Sequence, residues 1–206
     1  MTARTLLIIL ASIALTVPSL GLAEEKPVRQ YAWETVCRHT LPEEVEFTAQ
    51  ERWAWDNRLC LGKMAKMSEY GVADGRGCDA KEADTWPQTH RLSEKFLRTI
   101  LFHEPFKSVP PRPRVHILCA LFDEEIDIGN FDLENEVWLD QSRFKKKVNL
   151  GDLRAHRLVS FEGSVFDDKI SLQAGKIDGS LNTKGATFEG RFDADDLEVK
   201  GNLFLR

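Results

Sequence analysis

The chain has 206 residues, with 28 Lys and Arg against 33 Asp and Glu, a net charge of −5 and 42% hydrophobic residues. The acid excess is not spread evenly. From Val115 onward there are 12 basic and 18 acidic residues, whereas residues 24–114 balance at 15 and 15. An acidic second half excludes ordinary binding to nucleic acid phosphates, and solubility of an otherwise apolar stack accounts for it.

The N-terminus carries Arg4, an apolar run from Leu6 to Val17, Pro18 and the small-residue approach Gly21-Leu22-Ala23, with Glu24 and Glu25 beyond. This composition defines residues 1–23 as a secretory signal peptide cleaved near Ala23. The apolar run is short of the ~20 residues a membrane span needs, so no stable span is expected after cleavage. The expected destination is the periplasm or the exterior.

Residues 24–108 lack any repeat and read as a helical cap. Thr48-Ala-Gln-Glu51 is a capping box followed by Trp53, Trp55, Leu59 and Leu61, which predicts a helix over about 48–63. Gly71 to Asp84 reads as a loop. Ser93 caps a second helix with Phe96, Leu97, Ile100 and Leu101 on one face. Pro110, Pro111 and Pro113 then force an extended entry into the second half of the chain.

Four cysteines in an exported chain predict two disulfides, with three possible pairings. Cys60 with Cys78, which bracket the glycine-rich loop, is the slightly preferred pair. Cys37 with Cys119 would then tie the N-terminal arm to the first repeat. The alternative of Cys37 with Cys60 would staple the cap alone. No Cys-x2-Cys pair exists, so zinc is not expected.

The second half is organised by a period of 22. Phe122, Phe144, Phe166 and Phe188 are evenly spaced, each preceded by two positions by a small residue: Ala120, Ser142, Ser164 and Ala186. A fixed period of this size marks a solenoid of stacked units. Pairs of inward residues with one outward residue between them begin at 115, 126, 137, 148, 159, 170, 181, 192 and 203, which is the period of a strand. Of these eighteen slots only Thr183 is polar. Two eleven-residue units complete one coil of 22 residues with four sides. Gly179, Gly190 and Gly201 recur at corners, where positive φ is the expected reason.

Units such as Ala186-Thr-Phe188-Glu-Gly190 resemble the pentapeptide-repeat family over roughly residues 109–206. The lead-in from Phe96 to Phe106, with the prolines after it, is similar to that of larger bacterial proteins of this type. The resemblance implies a mainly β fold, a quadrilateral right-handed β-helix with an N-terminal α-helical cap, in a bacterial protein. The chain departs from the strict pattern by alternating five- and six-residue sides. Family members include DNA-mimicking gyrase binders and secreted effectors, so the resemblance speaks to fold more than to function.

No catalytic signature stands out. His103-Glu104 is not the His-Glu-x-x-His arrangement that binds zinc, and its place at a helix C-terminus suits the dipole. His116 and His156 sit on separate coils. Asp167-Asp168 and Asp195-Asp196 occupy corners and read as solvated surface. The outward column Asp123, Lys145, Asp167 and Glu189 could seat a carbohydrate-active enzyme on an acidic face, but the lysine breaks it. No catalytic residue, cofactor or metal is therefore assigned.

Outward apolar residues are the interaction candidates: Trp138, which either packs beneath the cap or marks a binding surface, with Leu158 and Phe204. The pattern stops at Leu203-Phe-Leu205-Arg206, an uncapped edge that could pair with another chain. Early termination of a longer ancestor is the favoured history. The expectation is an exported, non-enzymatic repeat protein with a structural or protein-interaction role, self-associating or meeting a protein partner through this last coil. A secreted effector binding a foreign protein is the further alternative.

Overall fold

The computed structural model describes Cys37 and residues 46–71, 78–108 and 114–205. The expected signal peptide, the proline-rich approach and Arg206 lie outside these residues. Two short α-helices, α1 (Ala49–Asn57) and α2 (Glu94–Phe102), precede a parallel β-solenoid. One strand, β1 (Ala65–Lys66), stands among them.

The solenoid strands are mostly two residues long. The first circuit is β2 (Arg114–Leu118), β3 (Leu121–Phe122), β4 (Ile126–Asp127) and β5 (Asp132–Leu133). The second is β6 (Glu136–Asp140), β7 (Arg143–Phe144), β8 (Val148–Asn149) and β9 (Arg154–Ala155). The third is β10 (Val159–Ser160), β11 (Val165–Phe166), β12 (Ile170–Ser171) and β13 (Lys176–Ile177). The fourth is β14 (Leu181–Asn182), β15 (Thr187–Phe188), β16 (Phe192–Asp193) and β17 (Glu198–Val199), and β18 (Leu203–Phe204) follows.

From β2 to β14 each strand pairs in parallel with the one four ahead, so the chain visits four sheets in turn. The first sheet runs β1-β2-β6-β10-β14-β18, and the other three hold four strands each. Register is set at 22 residues, as in Phe122↔Phe144 and Val165↔Thr187. A strand of two residues cannot bury much alone; the stack works because each backbone is the template for the next.

Inward side chains fill the axis. Phe122, Phe144 and Phe166 are at most 1% exposed. Their rings stack at centroid distances of 4.9 and 4.6 Å, and Phe188 continues the column at 5.2 Å. Thr183, the polar slot, is buried and donates its hydroxyl to Phe204 O at 3.0 Å, which satisfies it. The small residues beside the rings also have a polar task. Ser142 Oγ accepts from Ala120 N and Ser164 Oγ accepts from Ser142 N, both at 3.1 Å. Each hydroxyl donates in turn to a strand carbonyl, Asp140 O and Leu139 O.

Two corners per coil use left-handed backbone, stacked in columns: Cys119, Gln141, Gly163 and Gly185, and Asn130, Asp152, Ala174 and Asp196. The glycines expected to need positive φ are not among them. Gly179 and Gly190 serve close approach instead. A Cβ on Gly179 would lie 2.6 Å from Arg157 O, and one on Gly190 would lie 2.6 Å from Asp168 O. The neighbouring coil's backbone occupies the space where a side chain would start. Gly179→Ala should therefore cost about 1–3 kcal/mol or more, as overpacking against backbone does. Urea unfolding would check this, and an unchanged midpoint would mean the corner can open freely.

The region before the coils behaves as an irregular extra circuit. β1 pairs with β2 on the first sheet, Ala65↔Ile117 and Lys66↔Leu118. Arg91 bridges to Leu121 on the second, and Leu92 N donates to Leu121 O at 3.1 Å. Arg98 donates to Asp127 O at the end of β4, and Asn135, just after β5, donates to Lys107 O. The first two sheets thus gain a backbone neighbour ahead of the first coil, while β4 and β5 are approached by side-chain hydrogen bonds alone.

Helix α1 is capped as expected, with Thr48 accepting from Glu51 N. It is shorter than expected: the helix stops at Asn57, and a 3-10 turn over Leu59–Leu61 ends on left-handed Gly62. Glu51 is 1% exposed and joins both helices, accepting from Thr48 N at 2.8 Å and from Ser93 N at 2.6 Å. Helix α2 closes the end of the core, with Phe102 stacked on Phe131 at 4.4 Å.

The expected loop to Asp84 also departs from expectation, since Ala80–Thr85 is a 3-10 helix. It lies along the outer face of the second sheet as a strap. Ala80, Ala83 and Trp86 cover the outward apolar residues Leu121 and Val165. The disulfides follow this geometry and correct the preferred pairing. Cys37 bonds Cys60 within the cap, and Cys78 bonds Cys119, pinning the strap to the first corner, with Cα separations of 5.6 and 5.1 Å. Sequence spacing alone could not show that residue 78 folds back over the coils.

Candidate functional site

Solvent-facing residues of the first sheet form the most distinctive side-chain cluster on the solenoid. The 22-residue register aligns His116, Trp138, Ser160, Asn182 and Phe204 in one column. A parallel column places Leu118 beside Asp140. Strand β6 presents Glu136, Trp138 and Asp140 together because alternate residues share a face.

Trp138 packs its indole against the His116 ring at 5.0 Å. It is half-buried, and its Nε1 is buried with no hydrogen-bond partner among the described residues. The part of the ring that meets solvent is therefore apolar carbon. Asp140 is 8% exposed. Its Oδ1 accepts from Ser160 Oγ at 2.7 Å and from Glu162 N at 2.9 Å. Asn182 donates to Ser160 Oγ at 3.1 Å and to Glu162 Oε2 at 3.0 Å, and its own Oδ1 accepts from Lys184 N.

Burial governs the titration here. Desolvation raises Asp140, opposed by the Ser160 and Glu162 hydrogen bonds. Desolvation, with Arg114 adding repulsion, lowers His116 to about 4. His116 Nε2 and Asp140 Oδ2 are 4.0 Å apart, too far for a hydrogen bond, and a neutral imidazole makes no ion pair there at neutral pH. The folded state therefore resists a proton that the unfolded His accepts at 6.5. Stability is complete above that pH and is lost as pH falls from 6.5 to about 4. The bound from the shift is roughly 3 kcal/mol, and about 1–2 kcal/mol after solvent screening. Asp140 works in the opposite sense, gaining stability on protonation. His116→Gln should flatten the pH dependence of urea stability between 6.5 and 4. A slope equal to that of the native protein would contradict this.

The other expected positions are dispersed. Leu158 is half-buried at a corner, its carbonyl accepting from Val137 N. Phe204 is 48% exposed, two coils beyond Ser160. The acidic column of the second sheet is interlocked by ion pairs: Asp123 with Arg91, Lys145 with Asp84, and Asp167 with Arg143 Nε at 3.0 Å. The hydrogen bond from Lys145 holds Asp84 below its ordinary value. His103 is the exposed C-cap of α2.

On the fourth sheet, Arg154, Lys176, Ile177, Asp178, Glu198 and Lys200 line a cleft of about 200 Å³. Its charges mostly answer one another. Lys200 meets Asp178 at 2.7 Å and Lys176 meets Glu198 at 3.9 Å. His156 lies between Asp132 and Asp178 at 2.6 and 3.4 Å. Among the described residues no group of three or more His, Cys, Asp or Glu is placed to hold a metal ion. Likewise no helix is long and apolar enough to cross a membrane.

No protein-family model, curated protein or solved structure matches this chain. What fold and surface define is a class: a parallel β-solenoid of about four 22-residue coils with a short helical region before it.

Proposed function

We propose that this is an exported, non-enzymatic repeat protein of pentapeptide-repeat-like, right-handed type that acts by association, with itself or with a protein partner, in the periplasm or outside the cell. The observation carrying this reading is the contrast between the two ends of the solenoid. The first coil is covered by β1, Arg91 and α2, whereas Leu203, Phe204 and Leu205 are 48, 48 and 58% exposed on the last described turn. Among the described residues nothing pairs beyond β15, β16, β17 and β18, whereas at the other end β2 is paired by β1, β3 is met by the Arg91 bridge, and β4 and β5 are approached by side-chain hydrogen bonds. Unpaired parallel edges around an apolar patch are a template for further strands. The apolar run of residues 6–17 and the two disulfides support export.

Light scattering of the mature, oxidised protein across a concentration series tests the reading. The expected result is a concentration-dependent dimer or ladder that Phe204→Asp returns to monomer. A monomer at every concentration would remove self-association and leave an outside partner, to be sought by pull-down with the native protein against the Phe204→Asp variant.

A further inference from the structure

The outer face of the first sheet carries features that coil stacking does not require. The Asp140 side chain is 11% exposed, and among the described residues only its Oδ1 is hydrogen-bonded. Its Oδ2 receives no donor among the described residues, with His116 Nε2 the nearest polar partner at 4.0 Å. Glu162 likewise accepts through Oε2 from Asn182, and Oε1 has no donor among the described residues. Neither oxygen is sealed from solvent, so both are free to accept from the hydroxyls of a ligand. Beside these acceptors stands the half-exposed carbon surface of Trp138, held by the ring of His116.

We propose that this face binds a neutral, hydroxyl-rich ligand, a carbohydrate, with a sugar ring against Trp138 and His116 and its hydroxyls donating to Asp140 Oδ2 and Glu162 Oε1. Aromatic carbon suits the C–H face of a pyranose, and carboxylate acceptors suit its O–H groups. Local charge favours a neutral ligand. Arg114 lies directly opposite Glu136 in the ladder, and Lys184 follows Glu162 by one 22-residue coil, so bases and acids alternate around the cluster. An anionic chain would meet open carboxylate oxygens, and a cationic one would meet Arg114 and Lys184. The site is independent of the exposed last turn and requires no turnover.

The test is ¹⁵N NMR of the indole N–H signals of the full oxidised protein, titrated with chitohexaose and cellohexaose. Oligogalacturonate is the anionic comparison and a lysine-rich peptide the cationic one. Trp138→Phe identifies the Trp138 signal. A neutral oligosaccharide should shift that signal and the amides of residues 136–140. Affinity should fall tenfold or more in Trp138→Ala and in Glu162→Gln, the second a near-isosteric change that leaves the fold intact. No shift with either neutral sugar, a shift with oligogalacturonate or peptide alone, or undiminished affinity in Glu162→Gln would each overturn the proposal. Because the association test reads Phe204 and this one reads Trp138, failure of either leaves the other standing.

Discussion

Phe166→Ala should lower stability by about 3–5 kcal/mol, the cost of deleting a buried aromatic and leaving its cavity. Phe166 is fully buried, stacked between Phe144 at 4.6 Å and Phe188 at 5.2 Å and met edge-on by Phe161 at 5.4 Å. Collapse cannot fill the space, because the coils above and below are held in register by backbone bonds such as Val165 N to Ser142 O and Thr187 N to Ser164 O. For a domain of this size the loss corresponds to roughly 6–20 °C in melting temperature, at about 2–4 °C per kcal/mol. Phe188→Ala, at a half-buried position, should cost clearly less. Solenoid stability sums over neighbouring units, so Phe166→Ala should also weaken the grip of the third coil on the fourth. Faster amide exchange across residues 181–204 than across 115–139 would show this. Equal costs for Phe166→Ala and Phe188→Ala would mean the column is not the axis of stability.

The period was legible because a stacked core repeats its own solution. Each inward slot faces the same neighbours one coil away, so Val115, Val137 and Val159 answer the same physical question and the answer appears at fixed spacing. Helix starts were legible for a local reason: Thr48 and Ser93 bond to backbone within three residues. What stayed hidden was long-range and aperiodic. Glu51 reads as one half of a capping box, and nothing local says that its second oxygen takes Ser93 N, 42 positions away. Gly179 reads as a turn residue, but its reason is the carbonyl of Arg157 on the adjacent coil. The strap over Leu121 and Val165 could not be foreseen from Cys78, whose partner depended on where residues 78–91 lie. Trp138 stood out singly and Asp140 did not, and only the register of β2, β6 and β10 brings His116, Trp138 and Ser160 into one column.

Those strap contacts make the Cys78–Cys119 disulfide the second large expectation. Its ends are 41 residues apart. On a chain-entropy argument, a loop of that length contributes about 4 kcal/mol by restricting the unfolded chain. The Cys78→Ser, Cys119→Ser protein should lose about 2–4 kcal/mol in urea, within the range typical for a native disulfide. The loss should be uneven along the chain. Once unpinned, Ala80–Thr85 is held by the Arg143 hydrogen bond to Lys81 O, by ion pairs from exposed Asp84 to Arg143 and Lys145, which contribute little, and by the contact of Ala80, Ala83 and Trp86 with Leu121 and Val165. The strap should therefore open before the coils unfold, exposing that apolar face and making Lys81 a site for trypsin. Removing Cys37 and Cys60, only 23 residues apart and confined to the cap, should leave the strap protected. Limited proteolysis of the two variants side by side separates the cases. Should Lys81 stay resistant without the Cys78–Cys119 bond, packing on Leu121 and Val165 is what holds the strap, and the disulfide acts on the unfolded chain alone.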